Sequence, residues 1–173
     1  VALDYPHDTW VLDEGNCSEV KSLCLRLGAR HFSRKDLPQY QSPAGVFQSG
    51  SKHGNYNAWL HEVGYAAYDV ITTFDPDHVP RRTYLARLLG YLEDPKVAYV
   101  QAAQVYCNQE ASFIARGAAE ETYAYYSSVQ MAGYGMGYPI IVGCHNTHRM
   151  AALKEVGGFA AHDAEDLLLT LTY

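Results

Sequence analysis

The stretch VITTFDPDHVP, residues 70–80, joins a β-branched, apolar run to two carboxylates. This pattern predicts a buried strand that delivers Asp75 and Asp77 to the carboxyl edge of a sheet, where open α/β folds place their ligands. Pro76 between the two acids fixes φ and has no N–H, so the loop is stiff. Two hard oxygen ligands at this spacing suit a divalent ion that carries phosphate. A polar turn that caps the next helix, with Pro80 near its first position, explains the same residues equally well.

The composition predicts one domain with a sizeable core, because 48% of the 173 residues are apolar or aromatic. The net charge of -6 and the absence of a lysine or arginine stripe argue against binding to nucleic acid. The four cysteines form no CxxC pair, which favours a reduced, cytoplasmic setting. No stretch is long and apolar enough to span a bilayer, so we expect the chain itself to be soluble. It starts without Met and stops inside a predicted helix, so we expect both ends to be cut from something longer.

Strand and helix patterns alternate along the chain, as they do in α/β folds. Strands are predicted over residues 9–12, 29–33, 70–74, 97–100, 104–107 and 139–142. Helices are predicted between Ser18 and Gly28 and over residues 52–67, 81–93, 110–133 and 151–156, and a further helix begins after Asp166. In the first helix, Leu23, Cys24 and Leu27 recur at helical spacing and should face a sheet.

Several polar side chains lie at the predicted ends of these elements. Lys52 opens a helix among small residues, where its charge and the free N–H groups could serve a diphosphate. The spacing of His145 and His148 in a strand would place them on opposite faces, which argues against a zinc site. Tyrosines crowd the segment from residue 123 to residue 138. Core packing and an aromatic rim for sugar rings or a partner both explain that crowding.

Six motifs, in this order, resemble the processive family 2 glycosyltransferases, and most closely the catalytic domain of cellulose synthase-like enzymes. They are VLDEG at residues 11–15, KxGxxNA at 52–58, FDPDHVP at 74–80, VQ at 100–101, RxxALxxVGGF at 149–159 and ED at 165–166. The resemblance covers nearly the whole chain. It implies a GT-A fold, which is an α/β fold with a mostly parallel sheet flanked by helices. Residues 1–173 would then form one partial GT-A domain, truncated at both ends.

The resemblance also implies an activity, which is the metal-dependent, inverting transfer of a sugar from a nucleotide-sugar to a growing polysaccharide or glycan. The expected donor is a UDP-sugar and the expected ion is Mg²⁺ or Mn²⁺. By motif position, nucleotide-sugar binding is implied for Asp13, Lys52, Asn57 and Asp75, and metal binding for Asp75 and Asp77. Asp166 is implied as the catalytic base, and Glu165 as a group that orients it or an acceptor hydroxyl. Gly143, Cys144 and His145 fall in the segment that meets the acceptor.

The chain departs from the family pattern at several positions. Glu14 replaces the usual Asp, Ala164 replaces a common Thr, and Cys144-His145 stands where a small residue and Asn or Ala are more usual. The changes at Ala164 and at Cys144-His145 put the choice of acceptor in doubt. The family's first strand, its QxxRW segment and its membrane helices are expected outside these residues. We therefore expect a membrane-embedded parent protein, with this domain at the cytoplasmic face, and an inactive chain when it is taken alone.

Two other classes of protein fit parts of the sequence. Aspartate-nucleophile phosphohydrolases also carry a DxD after a hydrophobic strand, and Asp163 and Asp166 could then be late metal ligands. Those enzymes usually carry the motif on their first core strand, whereas two strand and helix units precede it here. A non-catalytic domain that uses the GT-A fold for binding is the third class.

Overall fold

The computed structural model describes residues 3–173 and has an α/β architecture built on two small sheets. The strands are β1 (Trp10–Leu12), β2 (Arg30–Phe32), β3 (Val70–Thr72), β4 (Tyr99–Gln101) and β5 (Asn146–Arg149). Strands β1 and β2 pair in parallel, and β5 lies between β3 and β4 in the second sheet. The predicted α/β class is confirmed.

Eight α-helices accompany the strands of residues 3–173. They are α1 (Ser18–Leu27), α2 (Lys52–Trp59), α3 (Tyr65–Ala67), α4 (Tyr84–Leu88), α5 (Phe113–Ala124), α6 (Gln130–Gly135), α7 (Met150–Glu155) and α8 (Glu165–Thr172). One π-helical turn, Leu60–Gly64, continues α2 into α3, and another, Tyr125–Val129, continues α5 into α6. The helix predicted over residues 52–67 is therefore confirmed as one continuous run with a π turn inside it. The helix predicted over residues 110–133 begins later, at Phe113 after an extended Ser112, and continues through its π turn to Gly135.

Strand β5 makes the second sheet more mixed than predicted, because it runs antiparallel to both of its neighbours. The chain leaves β4 at Gln101, passes through α5 and α6, and enters β5 at Asn146, which is the residue that pairs with Gln101. Because β5 starts beside the point where β4 ends, β5 must run in the opposite direction to β4. Strands β3 and β4, which both pair with β5, therefore run in the same direction.

The strands predicted over residues 104–107 and 139–142 are wrong, since neither segment has regular structure. Side chains, not a neighbouring strand, satisfy the backbone of the second segment. The Gln130 amide bonds both the N–H and the carbonyl of Ile140, and the Ile141 N–H donates to Thr170 Oγ1 at 2.8 Å. Ile141 is buried, so the apolar pattern correctly predicted a core segment. Its prediction of a strand conformation was wrong.

The core packs the α2 helix against α7, α8 and the chain before β5. Its buried members are Phe32, Ala58, Trp59, Leu60, Ile141, Met150, Leu153, Phe159 and Leu169. On α1, Cys24 is buried as predicted, whereas Leu23 and Leu27 are exposed, so the sheet-facing side of this helix is narrower than its periodicity indicated. Among residues 3–173, no helix combines the length and the hydrophobicity needed to cross a bilayer.

Candidate active site

The site lies at the edge of the second sheet where β3 ends and β5 begins. The His145 N–H donates to the Thr73 carbonyl at 2.7 Å, and the Thr73 N–H donates to the Asn146 carbonyl at 3.0 Å. These two bonds extend the antiparallel ladder past the strands. They place residues 74–78, which follow β3, beside residues 143–145, which precede β5. Antiparallel pairing therefore joins two motifs that are about seventy residues apart.

Lys52 connects both of these segments to the start of α2. Its ammonium lies 2.6 Å from Asp75 Oδ1 and donates to the Gly143 carbonyl at 3.3 Å. Both charged side chains are about one third exposed, so the pair faces solvent. Ser51 caps the helix, and its hydroxyl accepts the Gly54 N–H at 3.0 Å. The structure thus brings Lys52, Asp75 and the segment at Gly143 together.

A fully buried arginine, Arg34, holds the start of α2 in place. Its Nε and Nη2 atoms donate to the two carboxylate oxygens of Glu14, each at 2.8 Å. The same guanidinium donates to the carbonyls of Tyr40, Phe47, Gln48 and Ser51. The loop that precedes Lys52 is therefore folded around one cation. The sequence does not indicate the role of Arg34, because nothing in a polar, proline-punctuated loop distinguishes a buried arginine from an exposed one.

Asp166 approaches the site from the first turn of α8. Its Oδ2 accepts the Gly143 N–H at 3.0 Å, so Gly143 contacts Asp166 through its N–H and Lys52 through its carbonyl. Asp166 and Glu165 line a small cavity with Tyr56, Gly143 and other residues. The cavity has a volume of about 10 Å³, which is about what a single water molecule needs. A sugar ring could enter only if the lining side chains moved.

Asp77 differs from Asp75 in its exposure. Its side chain is 85% exposed, and its Oδ1 lies 3.2 Å from His78 Nδ1. Carboxylate oxygens that are open to solvent fit a hard divalent ion, because Mg²⁺ usually keeps several waters and binds through one or two carboxylates together with phosphate. The donor set at Asp75 and Asp77 therefore suits such an ion.

His78, Cys144 and His145 form a compact cluster beside the two acids, with their ligand atoms within 4.8 Å of one another. The Cys144 Sγ lies 2.9 Å from His145 Nδ1, and Tyr126 is hydrogen-bonded to His145 Nε2 at 2.8 Å. Burial, with the charge of Asp75 adding to it, raises the pKa of the Cys144 thiol to about 11. Burial lowers the pKa of His145 to about 4, so its imidazole is neutral at pH 7.

Asp13 has a set of hydrogen-bond partners of its own. Its carboxylate accepts the N–H groups of Gly15 and Cys17 and lies 3.0 Å from His31 Nε2. Burial would raise the pKa of Asp13, but these bonds and the neighbouring imidazole outweigh it and lower that pKa. Among residues 3–173, no hydrogen bond or ion pair joins Asp13 to Lys52 or Asp75.

Asn57 is buried and hydrogen-bonded within the fold, and its predicted contact with the nucleotide-sugar stays a prediction. The side chain is 1% exposed. Its Nδ2 donates to the carbonyls of Phe159 and Val46, and its Oδ1 accepts the Phe159 N–H at 2.8 Å. The amide has no remaining donor to offer a ligand. Asn57 instead ties α2 to the Gly158-Phe159 turn that follows α7.

Part of the tyrosine-rich segment reaches the site. Tyr126 bonds His145, and burial together with the charge of Asp166 raises the pKa of Tyr125. Tyr134 and Tyr138 are more than half exposed. Tyr126 and His78 are site residues that the sequence analysis did not single out. The tyrosine crowding and the histidine directly after Asp77 were the signals that could have identified them.

Comparison with known proteins gives one family match and a set of bacterial relatives. The family model described as Glycosyl transferase family 2 matches residues 32–157. Cellulose synthase 1 of Komagataeibacter xylinus is 26% identical over 168 residues, which cover 92% of this chain and 10% of the relative. The UDP-forming cellulose synthase catalytic subunit of Pseudomonas fluorescens is 34% identical over 104 residues, which cover 58% of this chain and 12% of the relative.

A second UDP-forming cellulose synthase catalytic subunit, from Xanthomonas axonopodis pv. citri, is 26% identical over 155 residues, covering 87% of this chain. The chain spans between 10% and 19% of the length of these three relatives. Residues 32–157, which the family model matches, contain Lys52, Asp75 and the segment at Gly143.

Proposed function

The chain belongs to glycosyl transferase family 2, and on that premise we propose that it is the catalytic core of an inverting glycosyltransferase that uses a UDP-sugar. The observation that carries this proposal is a continuous set of contacts. Lys52 bonds Asp75 and the Gly143 carbonyl, and the Gly143 N–H bonds Asp166. A cation, the carboxylate of Asp75 and a candidate base are thus connected through a single segment of chain.

In this proposal Lys52 and Asp75 bind the diphosphate of the donor, and Asp13 contacts the nucleotide. Asp75 and Asp77 would hold Mg²⁺ or Mn²⁺. A divalent ion bound there supplies positive charge that stabilises the departing diphosphate without any proton transfer. The ammonium of Lys52 acts in the same sense, and its ion pair with Asp75 keeps it at the site before the donor arrives.

Asp166 is proposed as the general base. A carboxylate within hydrogen-bond reach of an acceptor hydroxyl can take its proton as the oxygen attacks the anomeric carbon. Direct attack opposite the departing diphosphate inverts the configuration at that carbon. The Gly143 N–H, which bonds Asp166 Oδ2, fixes the orientation of the carboxylate. Glu165, which directly precedes Asp166 in α8, orients the base or an acceptor hydroxyl.

The acceptor is proposed to be a growing polysaccharide or another glycan that enters beside Gly143, Cys144 and His145. The relatives' printed names describe cellulose synthases, two of them UDP-forming, which supports a UDP-sugar and a glycan acceptor for this chain as well. A membrane-embedded parent with this domain at the cytoplasmic face belongs to the same proposal. The assignment of residues 1–173 to one partial GT-A domain stays a prediction.

Replacement of the proposed base tests this function. Asp166→Asn keeps the size of the side chain and removes its basicity. We expect it to lower sugar transfer at least about 100-fold, because general-base catalysis contributes about that much or more. Binding of UDP should change less than about threefold, since Asp166 contacts the acceptor side. Transfer is measured as UDP release from UDP-sugars in the protein that carries this chain, and UDP binding by calorimetry.

Normal turnover in Asp166→Asn would contradict the assignment of Asp166 as the general base. An acid-labile aspartyl phosphate, or cleavage of a generic phosphomonoester, would instead identify an aspartate-nucleophile phosphohydrolase. Absence of any saturable UDP binding would favour a non-catalytic binding module.

A further inference from the structure

Within residues 3–173, three side chains that are good ligands for soft metals converge at one point: His78, Cys144 and His145. The proposed binding of a hard metal ion and of the sugar donor at Asp75 and Asp77 does not require the thiol of Cys144. Cys144 and His145 are buried, and His78 is about one fifth exposed, so the cluster is largely shielded from solvent. We propose that these three residues form a zinc site of the one-sulfur, two-nitrogen type, separate from the Mg²⁺ or Mn²⁺ position at Asp75 and Asp77.

The spacing of the ligand atoms suits a tetrahedral ion. Zinc–sulfur bonds of ~2.3 Å and zinc–nitrogen bonds of ~2.0–2.1 Å place sulfur and nitrogen ~3.6 Å apart across a tetrahedral edge. The Cys144 Sγ lies 3.6 Å from each ring nitrogen of His78 and 2.9 Å from His145 Nδ1. An ion would therefore need to separate Cys144 Sγ from His145 Nδ1 by a further ~0.7 Å, which small side-chain rotations allow.

Both histidines have a second partner of the kind that metal-bound histidines use. Zinc-bound imidazoles almost always donate their other N–H to an oxygen, which fixes the tautomer and the ring orientation. His78 Nδ1 lies 3.2 Å from Asp77 Oδ1, which leaves Nε2 for the ion. His145 Nε2 is hydrogen-bonded to Tyr126 at 2.8 Å, which leaves Nδ1 for the ion. The outer contacts thus leave one ring nitrogen of each histidine for the ion.

The backbone also favours this arrangement. His145 has φ of +47°, in the left-handed region, and within residues 3–173 only Asn16 shares this feature among non-glycine residues. Adjacent residues in an extended strand point to opposite sides. The left-handed turn at His145 lets it and Cys144 bind at the same point, and strained conformations of this kind cluster at functional sites.

Zinc suits this ligand set better than the hard ions do. Thiolate and imidazole ligands favour Zn²⁺, whereas Mg²⁺ and Mn²⁺ favour carboxylate and water oxygens. Three protein ligands leave a fourth position open, as in zinc sites that bind water or substrate. Because His78 follows the donor-binding acids and Cys144 lies in the acceptor segment, a bound ion would link the two halves of the cleft.

Cobalt(II) is the first measurement, because it replaces zinc and reports its ligands through absorbance. The reduced, metal-free chain is titrated with Co²⁺ without nucleotide. We expect visible bands of a four-coordinate ion and a near-ultraviolet sulfur-to-cobalt charge-transfer band, and one equivalent of Zn²⁺ should bleach both. Cys144→Ser should lose the charge-transfer band, while Cys107→Ser, at an exposed cysteine, should keep it.

Tyr126→Phe tests the positioning contact. It should weaken cobalt binding by about 10–100-fold while the charge-transfer band keeps its wavelength, because second partners of metal-bound histidines typically contribute that much. X-ray absorption of the wild-type zinc form needs no variant, and should show one sulfur at ~2.3 Å and two imidazole nitrogens at ~2.0–2.1 Å. Circular dichroism of each variant checks its fold.

An oxygen-only coordination shell, a charge-transfer band that persists in Cys144→Ser, or a band that disappears in Cys107→Ser would overturn the zinc site. The outcome is separable from the proposed transferase function. Asp166→Asn should bind cobalt like the wild type, and a failure of cobalt binding would leave the binding of UDP with Mn²⁺ unaffected.

Discussion

At the scale of single residues, the site depends on side chains whose partners are distant in the sequence. Lys52 bonds Asp75 and Gly143, which are 23 and 91 positions away. Arg34 fixes the loop before Lys52 through Glu14 and four carbonyls, so the placement of the cation depends on a residue that never reaches the cleft. The same contacts that stabilise this part of the fold therefore determine the geometry of the site.

Arg34→Met tests that dependence. The variant leaves one carboxylate and several carbonyls without their donor in a buried place, so we expect the free energy of unfolding to fall by ~3 kcal/mol. The figure lies at the low end for a buried ion pair because Glu14 is 38% exposed. Urea titration followed by circular dichroism gives the value. Arg87→Met, at an exposed arginine, should change it by less than ~0.5 kcal/mol. Equal losses in the two variants would contradict the role of Arg34.

Buried His148 gives stability a pH dependence. Its ring lies 2.9 Å from Asn146 Oδ1 and 3.0 Å from the Tyr173 hydroxyl, and burial lowers the pKa of His148 to about 3. In the unfolded chain His148 binds a proton near pH 6.5, whereas in the folded chain it does so only near pH 3. Between these two pH values the unfolded state therefore holds more protons. The stabilisation is complete above pH 6.5 and is lost as the pH falls towards 3.

We expect unfolding free energy to fall by on the order of 1 kcal/mol per pH unit below pH 6 because of His148. His145, whose pKa burial also lowers, adds to the same trend. Denaturant titrations at pH 7, 6 and 5 measure the slope. His148→Gln should reduce it, whereas His7→Gln, at an exposed position, should leave it unchanged. An identical slope in His148→Gln would show that His148 is not the source.

At the scale of elements, the α2 helix contributes both to the hydrophobic core and to the candidate site. Ser51 caps it, Lys52 opens it, and Asn57 anchors its far end to the turn at Phe159. Gly54 in its first turn has no room for a side chain. A Cβ at this position would lie 2.3 Å from the Gln48 carbonyl and 2.6 Å from Arg34 Nη1.

Gly54→Ala should therefore destabilise the fold by about 1–3 kcal/mol, which is the usual cost of overpacking. The matched control is Gly117→Ala in the α5 helix, where a Cβ would meet nothing within 4 Å. Alanine favours a helix over glycine, so the control should be about 0.5–1 kcal/mol more stable than the wild type. Thermal and urea unfolding measure both. Stabilisation of the same sign in both variants would contradict the close approach at Gly54.

Elements were predicted from sequence where periodicity and end signals agree. The α1 helix ends at Gly28, which has φ of +68°, as the glycine indicated. The prediction of a strand over residues 139–142 was wrong, because a short apolar run does not distinguish a strand from an irregular core segment. The side chains of Gln130 and Thr170 decide that conformation, through contacts that span 10 and 29 positions of the chain.

At the scale of the whole molecule, the topology of β5 assembles the cleft. Because β5 runs antiparallel to β3, the residues that follow one strand meet those that precede the other. Sequence motifs identified Asp75, Lys52, Gly143 and Asp166 individually, and the structure adds the contacts between them. Sequence alone could not place His78 beside Cys144, since that contact depends on the strand order. Nor could it show that Asn57 is buried.

The binding of UDP to the purified chain tests the central proposal most directly. Calorimetric titration with Mn²⁺ present should give saturable, one-to-one binding that is lost when the ion is chelated. Asp75→Asn should weaken it at least tenfold, whereas Asp163→Asn, at an exposed acid outside the proposed donor site, should bind UDP like the wild type. Binding of equal affinity with and without Mn²⁺, or in Asp75→Asn and the wild type, would contradict a donor site built on Lys52, Asp75 and Asp77.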